Sequence, residues 1–261
     1  MTTVPDYVPG HDLLRGKVVV VTAAAGAGIG AAFCRRALEE GARAVVLGDT
    51  HQRRLAEART ALGEEFGADR VRALVCDVTA EDQVAALLDA ADELGGVDVM
   101  VNNAGLGGTA NILEMTDDQW SKVLDITLTG TFRCVRAAGA RMVAAGTRGV
   151  IVNNASVIGW RAQEGQAHYA AAKAGVMALT RCSALDLAPH GIRVNAVSPS
   201  LAMHPFLAKV TSDDLLAELT DREAFKRAAE PWEVANVMVF LASDYASYMT
   251  GEVVAVSSQQ A

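Results

Sequence analysis

A tyrosine and a lysine four residues apart form the clearest chemical pattern in the chain. Tyr169 and Lys173 bound the string Tyr-Ala-Ala-Ala-Lys, and a helix would place them on one face, one turn apart. A neighbouring ammonium favours phenolate, so we expect the pKa of Tyr169 to fall from about 10 toward the range useful for acid–base catalysis. Ser156, thirteen residues earlier, offers a hydroxyl to a reacting oxygen. These residues predict proton exchange with a substrate oxygen.

A glycine-rich turn suggests a site for phosphate. Gly26, Gly28 and Gly30 follow the first valine-rich segment, and a helical pattern begins at Ile29. Backbone N–H groups in such a turn can approach a pyrophosphate closely, and the N-terminus of the next helix favours negative charge. The spacing is G-x-G-x-G rather than G-x-G-x-x-G, so close packing of helix on strand explains the string as well.

Asp49 bears on the identity of a nucleotide. It stands nineteen residues after Gly30, where a carboxylate can accept both ribose hydroxyls of an adenosine and would repel a 2′-phosphate. Arg53 and Arg54 could hold such a phosphate, but Ala27 adds no positive charge. The pattern favours NAD over NADP, with a turn or helix-cap role as the alternative for Asp49.

Two more segments end in residues suited to a cofactor cleft. Asp77 and Val78 could bracket an adenine edge, although a helix N-cap explains Asp77 nearly as well. Asn103, Ala104 and Gly105 supply small and amide groups after the fourth valine-rich run. Because open α/β sheets bind ligands beyond the carboxyl ends of their strands, these residues are predicted to wall one cleft.

Short valine-rich runs alternate with longer segments whose apolar residues recur every three or four positions. This alternation predicts an α/β fold of three layers, with helices on both faces of a parallel sheet. The predicted strands are 18–23, 44–49, 71–77, 97–102, 150–155, 193–198 and 253–256. The predicted helices are 29–40, 52–66, 81–94, 117–144, 167–188 and 233–242. No element is predicted for 200–227, where the periodicity is broken, and a loop of that length is usually functional or disordered.

The composition argues against several partners. Lys plus Arg number 23 against 31 Asp plus Glu, a net charge of −8, and no basic cluster suggests a nucleic-acid or acidic-lipid surface. There is no cationic leader and no apolar stretch of the roughly 18 residues that a membrane span needs. The histidines show no i,i+4 pair beside carboxylates. We therefore expect no nucleic acid, membrane or metal partner.

Cysteine usage and helix pattern bear on location and assembly. Without Cys-x-x-Cys spacing, the cysteines are interpreted as reduced core residues, which predicts a cytoplasmic protein. They are Cys34, Cys76, Cys134 and Cys182. The helical patterns 117–144 and 167–188 carry apolar residues on more than one face, which predicts a homodimer or homotetramer.

Together these residues resemble the short-chain dehydrogenase/reductase family over roughly residues 15–257, including Pro231-Trp-Glu and Thr250-Gly251. The resemblance implies a Rossmann-like, doubly wound sheet of seven parallel strands in the order 3-2-1-4-5-6-7, and hydride transfer between a nicotinamide cofactor and a carbinol or carbonyl carbon. Tyr169 would exchange the proton, Ser156 would hold the substrate oxygen, and Lys173 would bind the nicotinamide ribose. The implied cofactor contacts are Ala24, Gly26, Gly28, Ile29, Gly30, Asp49, Asp77, Val78, Asn103, Ala104, Gly105, Tyr169, Lys173, Pro199 and Ala202.

The chain departs from the family pattern at several positions. The replacements are Ala23 or Ala24 for the first glycine of the turn, Thr127 for an asparagine, Ser200 for a glycine, His204 for a threonine and Ser257-Ser258 for Gly-Gly. The asparagine supports a proton-relay water beside the lysine, so Thr127 is the candidate catalytic residue for that relay, through its backbone carbonyl. In the family, the threonine at the position of His204 commonly contacts the amide of the nicotinamide.

These departures, with the strings 156–163 and 181–183, resemble an actinobacterial branch of the family that acts on CoA-linked, steroid-derived bicyclic alcohols. That resemblance implies oxidation of a ring hydroxyl to a ketone, with segment 200–227 covering a bulky substrate. The side chains expected at the mouth of the site are Trp160, Arg161, Gln163, His168 and His204. Structural roles remain open as alternatives: packing for Trp160, a solvated charge for Arg161 and a neighbour of Tyr169 for His168.

The leading hypothesis is an NAD-dependent alcohol dehydrogenase in one domain, 1–261, with residues 1–15 as an N-terminal arm. A 3-oxoacyl-thioester reductase is the alternative enzyme; it would use NADP and usually carry a basic residue at position 27 or 49. A nucleotide-binding sensor or scaffold without turnover is the alternative of another class. Thr127 and the altered turn favour that reading, whereas Ser156, Tyr169 and Lys173 argue against it.

Overall fold

The computed structural model describes residues 3–203 and 213–258. Within them, seven strands form one parallel sheet in the order β3-β2-β1-β4-β5-β6-β7, which confirms the predicted fold class and strand order. The strands are β1 (Val18–Thr22), β2 (Ala44–Asp49), β3 (Val71–Val75), β4 (Val99–Asn102), β5 (Val150–Asn154), β6 (Arg193–Pro199) and β7 (Val253–Val256). The central strands are buried on both faces, so their valines pack against helices above and below the sheet.

Helices cover both faces of the sheet. They are α1 (Ile29–Glu39), α2 (Gln52–Phe66), α3 (Glu81–Asp92), α4 (Asp117–Leu124), α5 (Gly130–Ala145), α6 (Ala167–Leu187), α7 (Asp213–Arg222) and α8 (Pro231–Ala242). One hydrophobic cluster joins the sheet to α1, α2 and α8, and a second joins it to α3, α5 and α6. None of the described helices has the length and apolarity needed to cross a membrane.

The predicted helix 117–144 is wrong in one respect, because five of its residues form a π-helical turn. Asp125–Thr129 separates α4 from α5, and the Gly130 N–H bonds the Asp125 carbonyl five residues back. A π turn adds only one residue to the local repeat, so the apolar periodicity does not reveal it. Such turns occur mostly at functional sites, and this one contains Thr127.

The segment 200–227 was predicted to lack regular structure, but α7 lies within it. Asp214 is the second residue of this helix. Acidic residues are favourable in the first turn of a helix, where they complement its dipole. Residues 204–212, and with them His204, lie outside the described residues.

A buried ion pair fixes the N-terminal arm to α1. Arg36 bonds Glu40 at 2.6 Å, and both side chains are almost fully buried. Arg36 also donates to the carbonyls of Val8 and Pro9, and the Glu40 carboxylate accepts the N–H groups of His11 and Leu13. Each charge therefore meets backbone groups of the arm, which offsets the cost of burying it.

The interpretation of all four cysteines as core residues is wrong for one of them. Cys34, Cys76 and Cys134 are buried free thiols, whereas Cys182 is an exposed free thiol on α6. Burial raises the pKa of Cys76 to about 11. The apolar residues around Cys182 concealed its position because α6 is apolar on several faces.

Candidate active site

Ser156, Tyr169 and Lys173 meet where β5 ends and α6 begins. Ser156 lies two residues beyond β5, and Tyr169 is the third residue of α6. The Ser156 hydroxyl lies close enough to the phenol of Tyr169 to lower its pKa in part. The Lys173 ammonium lies 5.6 Å from the centroid of the Tyr169 ring. The structure therefore brings together the three residues that the sequence singled out.

The expected lowering of the phenol pKa is wrong for the protein without a ligand. Burial raises the pKa of Tyr169 to about 12, although the neighbouring Ser156 hydroxyl lowers it in part. Burial also lowers the pKa of Lys173 to about 8. Sequence spacing indicated that an ammonium would be close, but it did not reveal that both groups lie in surroundings that disfavour charge.

A chain of hydrogen bonds runs from Lys173 to the glycine-rich turn. Lys173 Nζ donates to the Asn154 carbonyl at 2.5 Å. Asn154 Nδ2 donates to Asn103 Oδ1 at 2.9 Å, and Asn103 Nδ2 donates to the Ala23 carbonyl at 3.0 Å. Asn154 Oδ1 is buried and has no partner among the residues that the structure describes. Sequence analysis missed Asn154; the available signal was a pair of amides, Asn153-Asn154, ending an apolar strand.

A second amide chain holds α6 on the sheet. Asn102 and Asn153 are register partners on β4 and β5, and Asn102 Nδ2 donates to Asn153 Oδ1 at 2.8 Å. Asn153 Nδ2 donates in turn to the Thr180 hydroxyl of α6 at 2.9 Å. All three side chains are buried. This chain fixes the helix that carries Tyr169 and Lys173.

Thr127 lies beside Lys173, with its hydroxyl fully engaged. Its Oγ1 accepts the Leu106 N–H at 2.9 Å and donates to the Leu106 carbonyl at 3.2 Å. Its own carbonyl accepts the Thr131 hydroxyl at 2.7 Å. A Cβ added to Gly105 would lie 3.5 Å from Lys173 Nζ and 3.7 Å from Thr127 Oγ1. Thr127 thus fixes the loop after β4 against the lysine, and its relay role stays a prediction.

The two alanines that could occupy the place of the family's first glycine differ in backbone conformation. Ala23 has a φ of 50°, in the left-handed region that favours glycine. Ala24 instead is fully buried in the core, and its N–H donates to the Gly48 carbonyl at 3.1 Å. Ala23 therefore has the backbone conformation that favours glycine, and its place as the family's first glycine stays a prediction.

The turn fits a dinucleotide phosphate. α1 begins at Ile29 with neither a side-chain cap nor an acidic residue in its first turn. A Cβ added to Gly28 would meet no atom within 4 Å, whereas one added to Gly30 would strike the Ala23 carbonyl and lie 2.6 Å from Asn103 Nδ2. Free N–H groups beside open space are what an anion requires at a helix N-terminus.

The remaining predicted cofactor residues lie at strand ends. Asp49 accepts the N–H of Ala25 at 3.0 Å and of His51 at 2.9 Å, so its carboxylate faces the turn. Asp77 Oδ1 accepts the Thr79 N–H and hydroxyl, and α3 is capped by Ala80; the N-cap interpretation of Asp77 is wrong. Other positions are Val78 in the core, Ala104 bonded to Thr22, Pro199 at the end of β6 and Ala202 bridged to Ala229.

The predicted substrate residues differ in exposure. Trp160 is 52% exposed and His168 is 2% exposed. His168 Nδ1 accepts the Tyr169 N–H at 2.9 Å, which supports its structural alternative as a neighbour of Tyr169. Arg161 and Gln163 are partly buried in the loop between Ser156 and α6. Their contact with substrate stays a prediction.

The serine that replaces the family's second terminal glycine has a specific partner. Ser258 Oγ donates to the Glu223 carboxylate at 2.6 Å, and Glu223 is buried. Glu223 also accepts the Leu201 N–H at 3.4 Å. These bonds tie the end of α7 to the chain leaving β6 and β7.

Comparison with known proteins agrees with this geometry. A family model described as enoyl-(acyl carrier protein) reductase matches residues 23–258. A short-chain dehydrogenase from Mycobacterium smegmatis superposes with a TM-score of 0.87 and 54% identity over 99% of each chain. The chain belongs to the short-chain dehydrogenase/reductase family. Like others in this family, it is an oxidoreductase of hydroxyl and carbonyl groups that uses NAD or NADP, as its residues predicted.

Two relatives are named for reactions on ring alcohols. A (5R,7aS)-5-hydroxy-7a-methyl-1-oxo-2,3,5,6,7,7a-hexahydro-1H-indene-carboxyl-CoA reductase from Mycobacterium tuberculosis is 59% identical over 99% of this chain and 98% of that protein. A cis-4-hydroxycyclohexanecarboxylate dehydrogenase from Sinomonas cyclohexanicum is 45% identical over 92% and 94%. Both names describe an alicyclic ring that carries a carboxyl group or its CoA thioester.

Proposed function

We propose that this dehydrogenase interconverts a secondary ring alcohol and its ketone, with NAD as the cofactor and a bulky or CoA-linked alicyclic acid as the substrate. The observation that carries the proposal is the proximity of the Ser156 hydroxyl to the Tyr169 phenol, beside the buried Lys173. The substrates named for the two relatives support the ring and the acyl group.

The three side chains divide the proton chemistry among them. Bound NAD supplies the hydride acceptor. Ser156 Oγ hydrogen-bonds the reacting oxygen and stabilises the charge that develops on it. Tyr169 takes the hydroxyl proton during oxidation and returns it during reduction. Lys173 favours the phenolate through its positive charge, and the Asn154 carbonyl holds that ammonium in place.

Asp49 supports NAD, and Arg54 supports NADP. The Asp49 carboxylate lies at the turn, where it would repel a 2′-phosphate. Arg54 also approaches the turn: its Cδ lies 3.9 Å from a Cβ added to Gly26, and its Nε is buried with no partner in the described part of the chain. We assign NAD because Asp49 is bonded to the turn itself. Comparing kcat/KM for the two cofactors in the wild type and in Arg54→Met tests the assignment, since use of NADP should depend on Arg54.

The proposal includes location and assembly. We assign a cytoplasmic homodimer or homotetramer, with no nucleic-acid, membrane or metal partner. Exposed apolar side chains on α5 and α6 support the assembly, since Phe132 is 41% exposed and Leu185 is 76% exposed. Light scattering on the purified protein tests it.

Tyr169→Phe tests the function directly. It removes the proton donor and leaves the ring, so turnover should fall at least about 100-fold while NADH still binds, as measured by its fluorescence. Tyr245→Phe is the matched control because Tyr245 is 78% exposed and should keep wild-type activity. Wild-type rates in Tyr169→Phe would overturn the assignment of the proton donor.

A further inference from the structure

Arg161, in the loop between Ser156 and α6, is a charged residue whose side chain has no partner among residues 3–203 and 213–258. Its Nη1 is shielded from solvent and has no hydrogen-bond acceptor. In the part of the chain that the structure describes, no carboxylate pairs with it. Its backbone N–H donates to the Val157 carbonyl at 3.0 Å, so the residue closes the turn that begins at Ser156.

Within the described ranges, Arg36, Arg193 and Arg227 show the usual arrangement, because the terminal nitrogens of each guanidinium find acceptors even where Nε has none, as in Arg36 and Arg227; Arg54 resembles Arg161 in leaving a buried nitrogen unpaired. Arg36 meets Glu40, and Arg227 meets Glu233 at 2.7 Å. Arg193 donates to the carbonyls of Leu241 and Ser243 at 2.8 and 2.9 Å. A shielded N–H without an acceptor is unfavourable, and its cost is larger for a charged group. Arg161 therefore has an unfilled place for an acceptor.

The position of Arg161 places this acceptor with the substrate. Its loop begins at Ser156 and ends at α6, which carries Tyr169. The loop also bonds the segment that follows β4: the Ala110 N–H donates to the Gly165 carbonyl at 3.0 Å, and Gln166 Nε2 donates to the Thr109 hydroxyl at 3.2 Å. Both segments rise from the carboxyl edge of the sheet, where α/β folds bind their ligands.

We propose that Arg161 binds an anionic group of the substrate, a carboxylate or a phosphate, and thereby selects acidic ring alcohols over neutral ones. The proposal rests on the proposed function, because Ser156 and Tyr169 define where the reacting oxygen lies. A guanidinium donates in a planar fork that matches either anion. The adjacent Trp160, half exposed, adds an apolar surface for the ring.

The test compares the wild type and Arg161→Gln on three substrates with one ring: 4-hydroxycyclohexanecarboxylate, its CoA thioester and its methyl ester. We expect KM to rise about 10- to 100-fold for an anionic substrate, with kcat unchanged and the methyl ester unaffected. Arg161→Lys should restore part of the loss. Arg181→Gln is the control, since Arg181 is an exposed arginine on α6.

The three substrates also distinguish whether Arg161 binds a carboxylate or a phosphate. A KM effect on the free acid assigns a carboxylate, and one confined to the CoA thioester assigns a phosphate. Cyclohexanecarboxylate, which has no hydroxyl to oxidise, adds a readout without turnover: its competition with substrate should weaken in Arg161→Gln if the anion is a carboxylate. Equal effects on all three substrates, or none, would overturn the proposal while the proposed function stands. A wild type that oxidises none of them would instead refute the proposed function for these ring alcohols.

Discussion

The two ends of this site are built from different parts of the chain. At the glycine-rich turn the protein offers backbone, with free N–H groups at the start of α1 and open space at Gly28. At the start of α6 it offers side chains: Tyr169 lies near Ser156 and Lys173, and Lys173 donates to the Asn154 carbonyl. Asn103 bonds both ends. The glycine-rich turn therefore depends on its backbone conformation, whereas the start of α6 depends on the chemical groups of its side chains.

This difference explains which substitutions each end accommodates. Ala23 adopts a backbone conformation that favours glycine, although it carries a methyl group. Thr127 replaces an asparagine and keeps the loop after β4 in place through Leu106. No other side chain could supply the phenol of Tyr169. We therefore expect substitutions at the start of α6 to remove activity by removing a reacting group, and substitutions at the glycine-rich turn to act through steric contact.

Lys173→Met should have the largest effect at the side-chain end. Methionine keeps the length of the side chain and removes its charge, so the phenolate loses its nearby cation. We expect kcat/KM to fall about 100-fold or more with little change in the melting temperature. Lys122→Met is the matched control, because Lys122 is exposed on α4. A Lys173→Met enzyme with more than half of wild-type activity would show that the charge is dispensable.

Gly30→Ala and Gly28→Ala should separate fold from binding at the turn. The added methyl at position 30 would strike the Ala23 carbonyl, and we expect a loss of about 1–3 kcal/mol in the free energy of unfolding. At position 28 the methyl meets no atom, so stability should hold while dinucleotide affinity falls. Denaturant unfolding and NADH fluorescence measure the two effects. Equal stability losses in the two variants would contradict the contact.

The sequence predicted the parts of this molecule that depend on local pattern. Valine runs located the strands, and the Tyr169–Lys173 spacing located the reacting groups. Burial depends on the whole fold, which is why the pKa direction of Tyr169, the role of Asn154 and the exposure of Cys182 were missed. The π turn at Asp125–Thr129 was missed because one extra residue barely alters a helical period.

Ala23→Gly should have the smallest effect and the opposite sign. Alanine at a φ of 50° costs about 1 kcal/mol relative to its favoured conformations, while glycine adds about 0.5–1 kcal/mol of backbone entropy to lose on folding. We expect a stability gain of about 0.5 kcal/mol or less and unchanged NADH affinity. A clear loss of stability would show that the alanine methyl makes a packing contact worth more than the strain.

Titration of the Tyr169 phenol tests the central claim most directly, namely that this buried group becomes a proton carrier only when a second positive charge joins Lys173. In the protein alone its pKa is about 12, above the ordinary value. The phenolate absorbance of the wild type minus that of Tyr169→Phe should therefore stay flat to about pH 10. With saturating NAD, whose nicotinamide is cationic, the difference should appear at lower pH. Ionisation near pH 10 both with and without NAD would contradict the account.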